Sequence, residues 1–188
     1  RKAVSLPEVL AGESYDDERW YCNRLVNEAL LACHGRVKGP VHINVPITEP
    51  LYTFNTESLP KERRIEKFDL TDDADLRSAV IDSIFVGIKR PLLIVGQLHD
   101  GNELVGLIHS DIQIPTLWES LAMPAAPCFE PLLDKIQNDE RFRPDMILYV
   151  GGHIVSKPLK TYLRGMKDVE QVRISQGDDV EDTFMHLT

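Results

Sequence analysis

Beyond about residue 67 the chain is predicted to form an open, parallel α/β sheet covered by helices on both faces, and three observations predict it. Short apolar runs rich in strand formers recur at Pro91–Val95, Ile114–Leu117 and Asp145–Val150, and Val169–Ile174 is read as a last strand. Runs of this length bounded by turn residues read as buried strands. Segments with helical spacing lie between them, so the strands are too far apart for hairpins and pair in parallel through crossovers. Apolar residues make up 43% of the 188, enough for a substantial core.

The elements follow in order. Trp20, Leu25, Val26, Ala29, Leu30 and Ala32 recur at mostly helical spacing within residues 16–34, with Gly35 as the C-cap, which gives one amphipathic helix. Val41–Val45, between Gly39-Pro40 and Pro46, is a short strand. No partner strand is read upstream of it, so this helix and strand are expected to be a remnant whose missing part precedes Arg1. From Thr48 to Lys67 the pattern dissolves into prolines, threonines and the run Lys61-Glu62-Arg63-Arg64, read as a solvated linker crossing the surface. A second domain is expected to start near Phe68.

Thr71 with Asp72, Asp73 and Asp75 opens a helix whose Leu76, Val80, Ile84 stripe runs to about Val86, its carboxylates at the favourable end of the helix dipole. Strand Pro91–Val95 ends at Gly96-Gln97, and Asn102–His109 is a short helix. Strand Ile114–Leu117 is followed by Trp118-Glu119-Ser120, and Met123–Phe129, broken by Pro124 and Pro127, is an irregular loop. Pro131–Gln137 and Ser156–Met166 are helices, and Asp178–His186 forms a terminal turn of helix. Ligands of open α/β sheets meet the loops at the carboxyl ends of the strands. Those loops are residues 96–101, 118–129, 151–157 and 175–179.

A net charge of −9 excludes a general nucleic-acid or membrane-surface binder, because either needs a clustered basic face. No apolar run approaches a membrane span or a signal-peptide core. Cys22, Cys33 and Cys128 are odd in number and outside any C-x-x-C pattern, which fits reduced thiols of a cytoplasmic protein. The chain opens at Arg1 and has no methionine before Met123, so it is read as a piece of a longer protein.

The stretch with most chemical content is Gly151-Gly152-His153-Ile154-Val155-Ser156-Lys157-Pro158. A strand, a two-glycine turn and a helix capped by Ser156 leave N–H groups and a positive dipole end pointing out of the turn, with the Lys157 ammonium beside them. Such a corner suits a carboxylate or a phosphate, and His153 is a further candidate contact. His99-Asp100-Gly101 is a turn with a titratable group but no nucleophile placed beside it. Gly177-Asp178-Asp179 lacks the spacing of an Mg²⁺ and phosphate loop and is read as solvated acid. Six scattered histidines give no zinc pattern, and there is no G-x-S-x-G, Walker or G-x-G-x-x-G sequence.

Two segments carry a family resemblance. Gly39-Pro40-Val41-His42-Ile43-Asn44-Val45-Pro46 with Glu49-Pro50-Leu51, after Val26-Asn27-Glu28-Ala29-Leu30, resembles the end of the pyrimidine-binding domain of thiamine-diphosphate enzymes. Its wording is closest to the 2-succinyl-5-enolpyruvyl-6-hydroxy-3-cyclohexene-1-carboxylate synthases of menaquinone biosynthesis. Val155-Ser156-Lys157-Pro158-Leu159 is similar to the central-domain motif of the same synthases, in which a basic residue reaches the active site. The resemblance implies that residues 1–50 are the C-terminal part of the pyrimidine-binding domain, 51–66 an interdomain linker, and 67–188 a central Rossmann-like domain.

What the resemblance implies chemically is a transferase that uses thiamine diphosphate and Mg²⁺ to decarboxylate 2-oxoglutarate and add the succinyl-semialdehyde unit to isochorismate. Lys157, with Ser156 and His153, is then expected on the substrate side, pairing with a carboxylate of isochorismate or of the adduct. Some relatives carry a second basic residue where this chain has Pro158, so a double-cation clamp is not expected. The cofactor-activating glutamate and the diphosphate and Mg²⁺ motif lie outside the chain, so no catalytic, cofactor or metal residue is assigned within it. The chain alone is expected to be inactive. Active sites between subunits in the family imply a homodimer or homotetramer of the parent protein. The alternatives are a metabolite-sensing or subunit-contact module without catalysis, with Arg141, Arg143, His153 and Arg164 as anion contacts, or the central domain of another thiamine-diphosphate enzyme such as an acetolactate synthase.

Overall fold

The structure, a computed structural model, describes residues 2–9, 15–35, 38–48, 57–69, 74–98, 114–175, 177 and 179–188. It divides into two compact units, Arg1–Lys67 with Asp179–Glu181, and Phe68–Asp178 with Asp182–Thr188.

In the first unit strand β1 (Lys2–Ser5) pairs in parallel with β2 (Val41–Asn44), Lys2 opposite Val41 and Ser5 opposite Asn44. Helix α1 (Tyr15–His34) connects them, with Asp16, Asp17 and Glu18 in its first turn and His34 in its last, as the helix dipole favours. β1 corrects the expectation that β2 has no upstream partner. Lys-Ala-Val-Ser offers one β-branched apolar side chain, too little for a periodic signal, and pairing with β2 supplies what propensity does not. Val4, Leu25 and Ala29 form the buried centre, with Leu6, Val41 and Ile43 packed against it.

Among the described residues of this unit one polar side chain is buried. Asn27, 6% exposed, accepts from the backbone N–H of Ile65 at 2.8 Å and donates to the carbonyls of Arg63 at 3.1 Å and Asn23 at 2.9 Å. Ile65 itself is 5% exposed. The stretch expected to be a solvated surface crossing is therefore anchored at Ile65, while Arg64 and Glu66 beside it are exposed.

In the second unit four strands, β3 (Pro91–Val95), β4 (Thr116–Trp118), β5 (Met146–Val150) and β6 (Glu170–Ile174), make one parallel sheet in the order β4-β3-β5-β6. Alternate residues of the apolar runs face opposite sides. On one face Ile94, Ile147 and Tyr149 pack with Leu133 and Ile136 of α3 (Glu130–Ile136) and with Leu159 and Leu163 of α4 (Lys157–Arg164). On the other, Leu93, Val95, Met146, Leu148 and Val150 meet Ile84 at the end of α2 (Ala74–Ile84), then Phe85 and Ile88. The open parallel α/β sheet with helices on both faces is thus the observed fold. At the amino end of the sheet Asp145 accepts from the N–H groups of Lys89 at 2.9 Å and Arg90 at 2.8 Å, aligning the starts of β3 and β5.

Differences are local. β4 starts at Thr116, two residues after the expected Ile114, because Pro115 has no N–H to donate and contributes its carbonyl to Leu93 instead. A short 3₁₀ turn, Glu140–Phe142, follows α3, with the Asp139 side chain accepting from the Arg141 N–H. The terminal helical turn expected over 178–186 does not form. Residues 182–188 are instead held by point anchors: Phe184 is buried with its ring 5.1 Å from that of Tyr149, Asp182 accepts from the Leu187 N–H, and Leu187 bridges in parallel to Gln171 of β6. The expected helix Asn102–His109 and the helix opening Thr71–Asp73 lie outside the described residues.

Candidate functional site

β3 and β5 are central neighbours from which the chain proceeds to opposite edges of the sheet, so the loops after them flank the topological switch point. Here those loops touch. The Gly96 N–H donates to the Val150 carbonyl at 2.9 Å, the Gly152 N–H to Gln97 at 2.7 Å, and the Gln97 N–H to His153 at 3.1 Å. A Cβ on Gly96 would lie 2.5 Å from the Gly152 oxygen, and one on Gly151, whose φ is +89°, would lie 2.8 Å from the Gln97 oxygen. Glycine is required at both positions for close backbone approach. The Tyr149 hydroxyl donates to the Gly152 carbonyl, and the Arg173 guanidinium, 4.8 Å over the Tyr149 ring, donates to the Gly151 carbonyl at 3.3 Å. Among the described residues, these backbone bonds close residues 96–97 against 150–153 in a seam at the switch point.

Past the seam the chain runs to the cap of α4. Ser156, 7% exposed, accepts from the Leu159 N–H at 3.3 Å, and Pro158 sits in the first turn, where a missing N–H costs nothing. The N–H groups of Val155 and Ser156, expected to point outward, both donate at 2.7 Å to one oxygen of Glu119, which is 3% exposed and follows β4 directly. The Ser156 hydroxyl donates at 2.8 Å to Glu130, the first residue of α3. The two N–H groups expected to face a ligand are therefore engaged by the protein's own carboxylate.

Lys157 is exposed at the first position of α4, and no hydrogen bond or ion pair among the described residues holds its ammonium. It borders a groove of about 470 Å³ between α3 and α4 that Arg143 and Tyr162 also line. Burial pushes the Tyr162 phenol up, with Arg143 acting against it. His153 is exposed and contributes its carbonyl to the seam. The other candidate anion contacts are engaged elsewhere: Arg141 with Asp139 at 2.6 Å, Arg143 with Asp168, and Arg164 with the Thr183 carbonyl at 3.1 Å. Arg164 stands at the far end of α4 from Lys157.

His99, Asp100 and Gly101 lie outside the described residues, as does Asp178. Among the described residues no three His, Cys, Asp or Glu side chains group as a metal site. All three cysteines are free, and burial, with Glu18 nearby, raises the Cys22 thiol. No described helix is long and apolar enough to cross a membrane.

Sequence reasoning missed Glu119. The available signal was its isolation, since it is the one charged residue between Ile114 and Phe129. An acidic side chain alone in so apolar a stretch needs a buried partner.

No family model matches the chain. Curated relatives do match it along essentially its whole length. The 2-succinyl-5-enolpyruvyl-6-hydroxy-3-cyclohexene-1-carboxylate synthase of Bacteroides fragilis is 35% identical over 197 aligned positions, gaps included, that cover 98% of this chain and 34% of the relative. Synthases of the same name from Bacteroides thetaiotaomicron, 32% identical, and Phocaeicola vulgatus, 33% identical, each match 100% of this chain over 35% of their own length. The chain spans about a third of the length of these relatives. The chain, with its parallel α/β unit and a lysine presented at a helix start, is thus similar along essentially its whole length to about a third of the 2-succinyl-5-enolpyruvyl-6-hydroxy-3-cyclohexene-1-carboxylate synthases.

Proposed function

We propose that this chain serves as part of a thiamine-diphosphate-dependent synthase of menaquinone biosynthesis, a transferase that decarboxylates 2-oxoglutarate and joins the remaining four-carbon unit to isochorismate. In this reading residues 1–50 end the pyrimidine-binding domain and residues 67–188 are the central domain. The cofactor and Mg²⁺ are held by segments outside residues 1–188, so no step is assigned to them here. The role proposed for this chain is electrostatic. The substrates are anionic, and an ammonium on a rigid helix start pairs with a carboxylate at little reorganisation cost.

The observation that carries the reading is Lys157 itself, exposed, without a partner among the described residues, and fixed at the carboxyl end of the sheet by the Ser156 cap. His153 stands exposed on the same turn as a secondary contact, and Ser156 acts through the cap. The seam argues against a nucleotide at the switch point, since a ligand there must break the Gly152–Gln97 and Gln97–His153 backbone bonds.

The test is an assay of the full-length protein with thiamine diphosphate, Mg²⁺, 2-oxoglutarate and isochorismate, wild type against Lys157→Ala. The expected result is adduct formation by the wild type and loss of most kcat/KM for isochorismate in the variant. An active wild type with an unimpaired variant removes Lys157 from the site, and no adduct at all removes the synthase reading.

A further inference from the structure

Glu119 is a buried carboxylate with no part in the function proposed above, and its surroundings show what it is for. Its oxygen takes both N–H groups of the two residues that precede Lys157, each at 2.7 Å, across 36 and 37 positions of sequence. Ser156 is held a second time from another direction, its hydroxyl donating to Glu130 at 2.8 Å while accepting from Leu159 at 3.3 Å. The residue after β4, the start of α3 and the cap of α4 therefore converge on one peptide, and the next residue along is Lys157. Glu119 is itself tied to the sheet, its N–H donating to the Val95 carbonyl at 2.9 Å. The backbone at Lys157 is thus referenced to the ends of β3 and β4 and not to its own turn alone.

We propose that Glu119 is a positioning residue for Lys157. Its carboxylate fixes the backbone at Val155 and Ser156 from which the Lys157 ammonium is presented and occupies the two N–H groups just ahead of α4, so that a substrate carboxylate meets the ammonium and not these N–H groups. This rests on the substrate-side role given to Lys157. Two consequences separate it from mere stability. Loss of the Glu119 charge changes recognition of the substrate that Lys157 contacts and leaves the other substrate alone. Truncation of Glu119 opens a hole of carboxylate size facing two N–H donors, which a small carboxylate refills.

The experiment is steady-state kinetics on the full-length protein carrying Glu119→Gln, Glu119→Ala, Lys157→Ala and the Glu119→Gln/Lys157→Ala pair. Expected for Glu119→Gln is a rise of about tenfold in KM for isochorismate, with kcat and the KM for 2-oxoglutarate within about twofold of wild type. The pair should be no worse than Lys157→Ala alone, as for two residues acting through one contact. Formate or acetate should restore Glu119→Ala saturably and leave Glu119→Gln, whose amide fills the hole, unchanged.

If Lys157→Ala is impaired and Glu119→Gln is not, the positioning role is overturned and the Lys157 reading survives. Losses shared by both substrates, or additive in the pair, also overturn it and leave Glu119 a structural tie. A harmless Lys157→Ala overturns the Lys157 reading and this proposal with it. Should Glu119→Ala not fold, Glu119→Gln and the pair decide the matter.

Discussion

Gly96→Ala tests the seam between the two central loops directly. The added methyl carbon would sit 2.5 Å from the Gly152 carbonyl oxygen and 3.1 Å from the Tyr149 ring. The ring edge can give way, but the carbonyl belongs to backbone held by the Gly152–Gln97 bond at 2.7 Å and the Gln97–His153 bond at 3.1 Å. Opening the loops to a normal contact distance costs those two bonds, about 1 kcal/mol each. Displacing packed neighbours costs about 2 kcal/mol more. The sum of about 4 kcal/mol is a large share of the roughly 5–15 kcal/mol that holds a domain together.

The assay is urea unfolding followed by Trp118 emission in a Trp20→Phe background, so that the one remaining tryptophan reports the second unit. With a slope of about 2 kcal/mol per molar urea, the midpoint should fall by about 2 M. Gly165→Ala is the control, because its φ is −69° and the nearest atom to an added Cβ is 3.4 Å away. Its midpoint should move by less than about 0.3 M. A Gly96→Ala midpoint as close to the parent as that would refute the reasoning, since loops in such contact cannot accept a methyl group without cost.

Other predictions follow from single contacts. Asn27→Ala leaves the buried Ile65 N–H without its acceptor and removes one of the two amide donors to the Arg63 carbonyl, the other being Asn23, and thermal unfolding should show a loss of about 2 kcal/mol. Ser156→Ala removes the cap of α4 and the donor to Glu130, with an expected cost of about 1–2 kcal/mol in the same measurement. Burial acts to raise the Asp145 carboxyl, but the N–H groups of Lys89 and Arg90 outweigh it and hold the group below the usual carboxylate range. A depressed carboxylate stabilises the fold above its unfolded value of about 4 and loses that contribution as pH falls through the lower folded value. The stability gap between wild type and Asp145→Asn should therefore be full at neutral pH and close on acidification; a gap constant down to about pH 2 would contradict this.

The central strands β3 and β5 are legible in sequence because a parallel strand buried on both faces must be apolar throughout, and Pro91 to Val95 and Met146 to Val150 are. Ser156 and Pro158 announce the start of α4 by local chemistry alone, and Gly151 is readable as a turn residue. What could not be read depends on distance along the chain. Glu119 meets partners 36 and 37 residues away, and Asn27 meets Ile65 at a separation of 38, so neither pairing leaves a periodic trace. Lys2–Ser5 becomes a strand because β2 lies alongside it, and residues 182–188 fail to become a helix because Phe184 and Leu187 are drawn to different parts of the sheet. The corner at α4 was legible as an anion-binding site; which anion fills it was a tertiary fact.

The pairing of Leu187 with β6 bears on self-association. A strand at the margin of a sheet offers a row of unpaired backbone groups to any second copy that can lie along it. Here the Thr188 N–H donates to the Gln171 carbonyl at 3.0 Å, and its hydroxyl lies 3.4 Å from the Gln171 N–H as acceptor, so the outer side of β6 is already engaged at its middle. An incoming strand would have to displace this segment, and with it the buried Phe184, before it could add to the sheet. Residues 182–188 therefore act as a stopper against edge-to-edge growth at this strand, a protection that Phe184→Ala, by loosening the segment, would weaken.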